Sequence, residues 1–194
     1  MSKSRLQTEQ KILNAVEALL LEQGYSAVGI NSIARRAGCD KVLIYRYFDG
    51  LDGLLLAFAE TTELWWTLDE ILSESSDDIS RLALHELLQR LLKKHATALI
   101  ARPLTLEVMA WEMSEQNNLT IKLARTRAER GIELVKKIRS YYAQPNIDIG
   151  GILGVFGAAI NYLVIRTRKS SGQHKTEEWW RLQQTIEKLL SSYA

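Results

Sequence analysis

Apolar residues recur three and four positions apart along nearly the whole chain, the spacing of one face of an α-helix. The first stripe, Ile12, Val16, Leu19 and Leu20, predicts a helix from Ser4 to about Gln23. Ser4-Arg5-Leu6-Gln7 has the form of a capping box, and Gly24 can end the helix. A short helix is expected over about Ile30 to Ala37, closed by Gly38, and a third over 41–48 with Asp40 as its N-cap. Asp49 caps a fourth, whose stripe Leu54, Phe58, Thr61, Trp65, Leu68 and Leu72 runs to the polar stretch 75–78. A fifth covers about 79–101 along Leu84, Leu88, Leu91, His95 and Leu99, and Pro103 starts a short sixth. The seventh spans about Leu119 to Tyr142, burying Ile121, Ala124, Ala128, Val135 and Ile138. Pro145 punctuates, an eighth covers about 147–168, and SSGQHK at 170–175 reads as a loop. The ninth, about 177–193, aligns Trp179, Leu182, Ile186, Leu189 and Tyr193. About nine helices result, with no convincing strand, internal repeat or low-complexity tract.

Composition agrees with an all-α fold: the 194 residues include only two prolines, and helix formers dominate. At 46% hydrophobic and 25% charged, the chain can bury a sizeable core. A net charge of +2 gives no general attraction to nucleic acid or membrane, so any basic patch must be local. One cysteine, Cys39, excludes an internal disulfide, and the N-terminal MSKSRLQTEQ lacks the apolar core of a signal peptide. The expectation is a cytoplasmic protein. Residues 147–165 are long and apolar enough to span a bilayer, but Asp148 and Asn161 fall within them. A helix buried in a tight helix–helix interface explains the same residues at less cost.

Two short helices meeting at Gly38-Cys39-Asp40 have the form of a helix-turn-helix, in which the first helix braces the second and the second enters the DNA major groove. Ile44 and Phe48 lie one turn apart and can point inward with Cys39, leaving Lys41, Val42, Tyr45 and Arg46 outward. Lysine and arginine can neutralise phosphates or donate to guanine O6 and N7. A tyrosine hydroxyl can donate to phosphate, and a valine can meet a thymine methyl. Residues 31–48 carry Arg35, Arg36, Lys41 and Arg46 against Asp40 alone, and Lys3, Arg5 and Lys11 could add phosphate contacts.

Residues 9–58 resemble the N-terminal domain of the tetracycline-repressor (TetR) family of bacterial transcription regulators, through ILNAVEALLLEQGY, INSIARRAG and KVLIYRYF. The resemblance implies a DNA-binding domain over 1–50 and a helical ligand-binding and dimerisation domain over 51–194. It places Lys41, Tyr45 and Tyr47 where family members commonly contact the DNA backbone, and Val42 and Arg46 where bases or nearby phosphates are met. Three positions depart from the family. Gly29 stands where a threonine or serine usually caps and donates to phosphate, Leu43 where a hydroxyl residue touches phosphate, and Leu51 where a lysine usually does. Fewer phosphate contacts predict weaker binding and a shallower salt dependence. Cys39 stands where a small apolar residue is usual and can behave as one.

A single helix-turn-helix offers a small interface, so a symmetric dimer on a palindromic operator is expected. Gly150, Gly154, Gly157 and Asn161 share a face of the eighth helix, and Trp179, Leu182, Ile186 and Leu189 a face of the ninth. Together they are the candidate dimer interface, in the family's usual four-helix arrangement. The resemblance also implies a pocket for an unknown small-molecule effector. Trp66, His95, Met109, Trp111, Glu112 and Met113 are the candidate lining, each with core packing as the plainer explanation. His85 and His95 are ten residues apart on one helix, His174 is in a loop and no cysteine pair exists, so no metal or cofactor site is expected. No phosphate loop, nucleophile elbow or carboxylate pair points to an enzyme. The expected function is a ligand-responsive, homodimeric DNA-binding regulator, a repressor, with no membrane partner. The alternative is a helical small-molecule- or partner-binding dimer whose helix-turn-helix has weak or lost DNA affinity.

Overall fold

The computed structural model describes residues 3–73, 75–142, 146–169 and 177–192, without the side chains of Lys3 and Ser76. Pro145, the 170–175 loop, His174, Tyr193 and the Lys3 side chain lie outside the described residues. Among the described residues eleven α-helices follow one another: α1 (Lys3–Gln23), α2 (Ile30–Ala37), α3 (Lys41–Phe48), α4 (Leu51–Thr61), α5 (Leu68–Ile71), α6 (Ser76–Arg81), α7 (Leu84–Ile100), α8 (Pro103–Glu112), α9 (Asn118–Arg139), α10 (Ile149–Thr167) and α11 (Glu177–Ser191). A single 3₁₀ turn, Tyr25–Ala27, precedes α2, and no strand occurs among the described residues.

The chain divides into two compact units, one of residues 1–65 with 103–125 and one of 66–102 with 126–194. In the first, α1 packs on α2, α4 and α8, and α3 on α4. Its core gathers Ile12, Val16, Leu20, Ile33, Ile44, Leu54, Phe58 and Val108. In the second, α7 is the hub against which α5, α10 and α11 lie. Leu87, Leu88, Leu91 and Leu99 of α7 are buried there with Ile160, Val164, Ile186 and Leu190.

Two more helices are present than the periodicity predicts, and both arise by interruption. The expected fourth helix ends at Thr61, whose hydroxyl donates to the carbonyls of Ala57 (2.9 Å) and Phe58 (3.2 Å). Leu64, Trp65 and Trp66 are then all buried. Three consecutive residues cover more than half the circumference of a helix, so burying all three favours extended backbone over a helix with one buried face. The hydroxyl of Thr105, itself buried, donates to the Leu64 carbonyl at 2.6 Å and satisfies the group that leaving the helix exposes. Thr67 caps α5, accepting from the Glu70 amide, and Ser75 caps α6, accepting from the Asp78 amide. The serine predicted to break a helix therefore starts one.

The expected fifth helix is likewise cut at Leu82–Ala83, where the backbone is extended. The Tyr142 hydroxyl, donating one proton between the Ile79 carbonyl (2.7 Å) and the Leu82 carbonyl (2.9 Å), serves the acceptors left there. In α9 the buried apolar residues are Leu119, Leu123, Leu134 and Ile138, with Thr120 buried beside them, whereas Ile121 and Ala128, expected inside, are exposed. Apolar residues lie on two faces of this helix, and periodicity picks a face without knowing which one meets a neighbour.

Helix α10 is 19 residues long with a mean hydropathy of 1.6 over its most apolar window, so by length and composition it passes the test for a membrane span. Asp148, just before the helix, and Asn161 within it both have specific partners. Asp148 is the N-cap, accepting from the Gly151 amide at 2.9 Å, and Asn161 bonds the His95 ring. Only 22% of that apolar window is buried within the chain.

Candidate nucleic-acid interface

The helix-turn-helix is built from local rules. Gly38 ends α2 in the left-handed region (φ 65°), where a Cβ would be strained, and its amide bonds back to Arg35. The Cys39 amide reaches the Ala34 carbonyl at 3.1 Å. Asp40 then caps α3, its carboxylate accepting from the Val42 amide at 2.8 Å. At the start of α2, Gly29 has no side chain to offer. Ser32 takes over part of that role: its hydroxyl accepts from the Gly29 amide (3.1 Å) and lies 2.6 Å from the Ala27 carbonyl. The helix start is thus secured from within, but no hydroxyl at position 29 is left for a phosphate.

Helix α3 is eight residues long and gains little from its own hydrogen bonds. Ile44, fully buried, ties it to the core at about 1.5–3 kcal/mol. Its far end is fixed by contact with the next helix. Gly53 sits so close to the end of α3 that a Cβ there would fall on the Phe48 carbonyl oxygen. Asp49 and Gly50 turn the chain between them with φ 59° and 99°.

On the outer face, Lys41, Val42, Tyr45 and Arg46 are exposed, Val42 by 54% and Tyr45 by 55%. Among the described residues Lys41, Arg46 and Arg35 form no ion pair, and Asp40 is occupied by its own helix. Arg36, by contrast, is held by both oxygens of Glu22 on α1. Tyr47 differs from the four outward residues: it is half-buried under the Arg5 guanidinium, 4.9 Å above its ring. Arg5 in turn pairs with Glu9 at 2.7 Å. The first turn of α1 is thereby clamped to the last turn of α3, a link that sequence spacing did not show. Burial, with the Asp40 carboxylate beside it, pushes the Cys39 thiol above its usual value, which works against a reactive thiolate.

The residues considered for an effector pocket fall into two groups. Met109 and Trp111 are buried in the first unit. Trp111 stacks on Tyr25 with centroids 5.9 Å apart, and its Nε1 donates to Glu115 at 2.5 Å. Glu112 is half-buried and Met113 exposed. Trp66 and His95 belong to the second unit and form a buried chain. Trp66 Nε1 donates to His95 Nδ1 at 2.9 Å, and His95 Nε2 lies 2.9 Å from Asn161 Oδ1. Since Nδ1 accepts, Nε2 carries the proton and the ring is neutral. Burial lowers the His95 pKa to about 4, with Arg127 acting the same way and the Asn161 bond opposing both.

Of the residues considered for a dimer interface, Gly154 and Leu189 are exposed, and Gly150, Gly157, Asn161, Trp179 and Leu182 are half-buried. Ile186 is buried within the chain. The larger apolar surface there comes from residues that spacing did not single out: Val155, exposed by 70%, Tyr162 and Trp180.

The profile of the bacterial regulatory proteins of the tetR family matches residues 12–58. The uncharacterized HTH-type transcriptional regulator MT1294 of Mycobacterium tuberculosis is 40% identical over 48 residues, 25% of this chain and 24% of that protein. The match thus spans about a quarter of the relative's length. Among solved structures, NalD of Pseudomonas aeruginosa, the secondary repressor of the MexAB-OprM multidrug efflux pump, aligns at 18% identity with a TM-score of 0.60, covering 96% of each chain. A TetR family transcription regulator from Marinobacter aquaeolei VT8 aligns at 19% identity with a TM-score of 0.53, over 98% of this chain and 95% of that one. Such likenesses carry the fold through the whole length. The profile match covers the helix-turn-helix and its flanking helices, and the chain is similar there to the tetR family.

Proposed function

We propose that this TetR-family chain is a cytoplasmic, ligand-responsive transcriptional repressor that binds a palindromic operator as a homodimer. The observation that carries the reading is the outer face of α3. A helix too short to stand alone is held by Ile44, Tyr47 and the α4 contact, while Lys41, Val42, Tyr45 and Arg46 are left to solvent. Two cations without ion pairs, a phenol and an apolar side chain are the groups that meet phosphates, guanine edges and thymine methyls.

The dimer is supported by α10 and α11. A helix this apolar and this little buried in its own chain needs a second surface, and the glycines at 150, 154 and 157 let another backbone come close. The partner is a second copy, since closed two-fold dimers dominate among soluble oligomers and a palindromic site needs two heads. The effector would act on the second unit, where the Trp66–His95–Asn161 chain joins α7 to α10. A ligand that favours one arrangement of the dimer helices weakens DNA binding by the factor by which DNA weakens the ligand's own.

A second reading remains: a helical small-molecule- or partner-binding dimer with a weakened grip on DNA. The half-buried Leu43 and Leu51 and the absent hydroxyl at Gly29 favour it. Selection from a random duplex library at one stated salt concentration separates the two. Recovery of a two-fold symmetric site would establish a dimeric DNA reader and support the first reading. Recovery of no site, from protein refolded free of any carried ligand, would point to a helix-turn-helix that has lost its grip on DNA, as the second reading has it.

A further inference from the structure

Of the five α3 residues considered for DNA, Tyr47 alone is half-buried; Lys41, Val42, Tyr45 and Arg46 are exposed. The Arg5 guanidinium lies 4.9 Å from the centroid of its ring, within the range of a cation–π contact. Arg5 is itself held by Glu9, one turn along α1 at 2.7 Å, and the carboxylate is the less exposed of the two, 17% against 39%. All three residues belong to the first unit. Among the described residues the Tyr47 hydroxyl has no hydrogen-bond partner, and it is not shut off from solvent. The ring is thus fixed at its apolar body and open at its polar tip.

We infer that Arg5 is a positioning residue for DNA binding: by its contact with the Tyr47 ring it holds the phenol so that the hydroxyl donates to an operator phosphate. This rests on the operator reading above. Two physical points separate positioning from a direct charge contact. Glu9 already neutralises Arg5, so the pair as a whole offers a phosphate little net attraction. A tyrosine free to rotate would lose that freedom on binding, whereas a ring already ordered by the guanidinium loses little, so the clamp strengthens binding without touching DNA. The hydroxyl also weighs more in this chain than among a fuller set of phosphate donors, because the side chains at Gly29, Leu43 and Leu51 supply none.

A double-mutant cycle in affinity for the selected operator, read by fluorescence anisotropy, tests it. One arm removes the clamp as Arg5→Gln with Glu9→Gln, which leaves the net charge unchanged. The other removes only the hydroxyl, as Tyr47→Phe. Loss of a hydrogen bond to a charged acceptor should lower affinity about tenfold or more in Tyr47→Phe. The clamp variant should lose about three- to tenfold, with an unchanged slope of log affinity against log salt. Arg5→Lys keeps a cation for both the ring and the carboxylate and should recover most of that loss. With all three substitutions together, affinity should equal that of Tyr47→Phe alone, since there is no hydroxyl left to position. A clamp loss that persists undiminished in Tyr47→Phe would overturn the inference and leave the clamp a purely structural link between α1 and α3. A salt slope lower by about 0.9 per head in the clamp variant would also overturn it, by putting Arg5 on a phosphate directly. Wild-type affinity in the clamp variant would defeat this inference alone, whereas a wild-type chain that binds no duplex would defeat the operator reading and this inference with it.

Discussion

Lowering the pH through the range below 6.5 should destabilise this protein through one buried ring. His95 is neutral in the fold, with Nδ1 accepting from Trp66 and Nε2 facing Asn161. Protonating Nδ1 would set two N–H donors against each other inside the core. The pKa of about 4, against 6.5 for the free side chain, expresses the same cost, burial being its largest cause. Because the folded pKa lies below the unfolded one, the unfolded chain binds the extra proton between these values, and stability rises with pH there. The contribution is fully present above pH 6.5 and is lost progressively as pH falls toward 4. Below that the folded state protonates too and the loss levels off. At about 1.36 kcal/mol per unit, the interval amounts to about 3 kcal/mol, a large share of the stability of a typical domain. The comparison is urea unfolding of wild type and His95→Gln at pH 7.5, 6.0 and 5.0, at one fixed protein concentration since a dimer's stability depends on it. The variant starts less stable, so the relevant quantity is the slope. Wild type should lose more than 1 kcal/mol relative to His95→Gln between pH 6.0 and 5.0. Parallel pH profiles would show that His95 does not titrate between the two states, and would refute the buried, neutral assignment.

Three further outcomes follow from the geometry. Lys41→Ala with Arg46→Ala should weaken binding to the selected operator and lower the slope of log affinity against log salt by about one to two, while leaving the dimer intact; an unchanged slope in a fluorescence anisotropy titration would take these side chains off the phosphates. Gly53→Ala should destabilise the fold by about 1–3 kcal/mol, because its Cβ must displace the Phe48 carbonyl and with it the end of α3; thermal melting checks this, and a wild-type melting temperature would contradict the close approach. Val155→Glu, placed on the exposed α10 face, should shift sedimentation equilibrium from dimer toward monomer with little change in helicity, whereas an undiminished dimer would move the interface elsewhere.

Much of the molecule was legible from the order of its residues because the deciding interactions are local. The turn at Gly38 needs a left-handed residue, Asp40 is a side-chain cap two residues from its partner amide, and the apolar period of α1 and α7 puts Ile12, Val16, Leu88 and Leu91 inside without reference to distant neighbours. The outward set Lys41, Val42, Tyr45 and Arg46 follows from the inward position of Ile44 by helical geometry alone. What the sequence could not decide depends on groups far apart in the chain. The breaks after Thr61 and Arg81 are secured by Thr105 and Tyr142, which reach carbonyls 41 and about 60 residues away. In α9 two apolar faces compete, and only the neighbour that arrives determines that Leu119 and Leu123 go inside and Ile121 stays out. His95 and Asn161, assigned from spacing to separate sites, are one hydrogen-bonded pair. Tyr47 looked like its neighbours on α3 until α1 folded back and placed Arg5 over its ring. Periodicity fixes which side of a helix is apolar, because that is a property of 3.6 residues per turn. Which partner covers that side, and which polar groups then meet in the dark, is set by long-range closure and has no local signature to read.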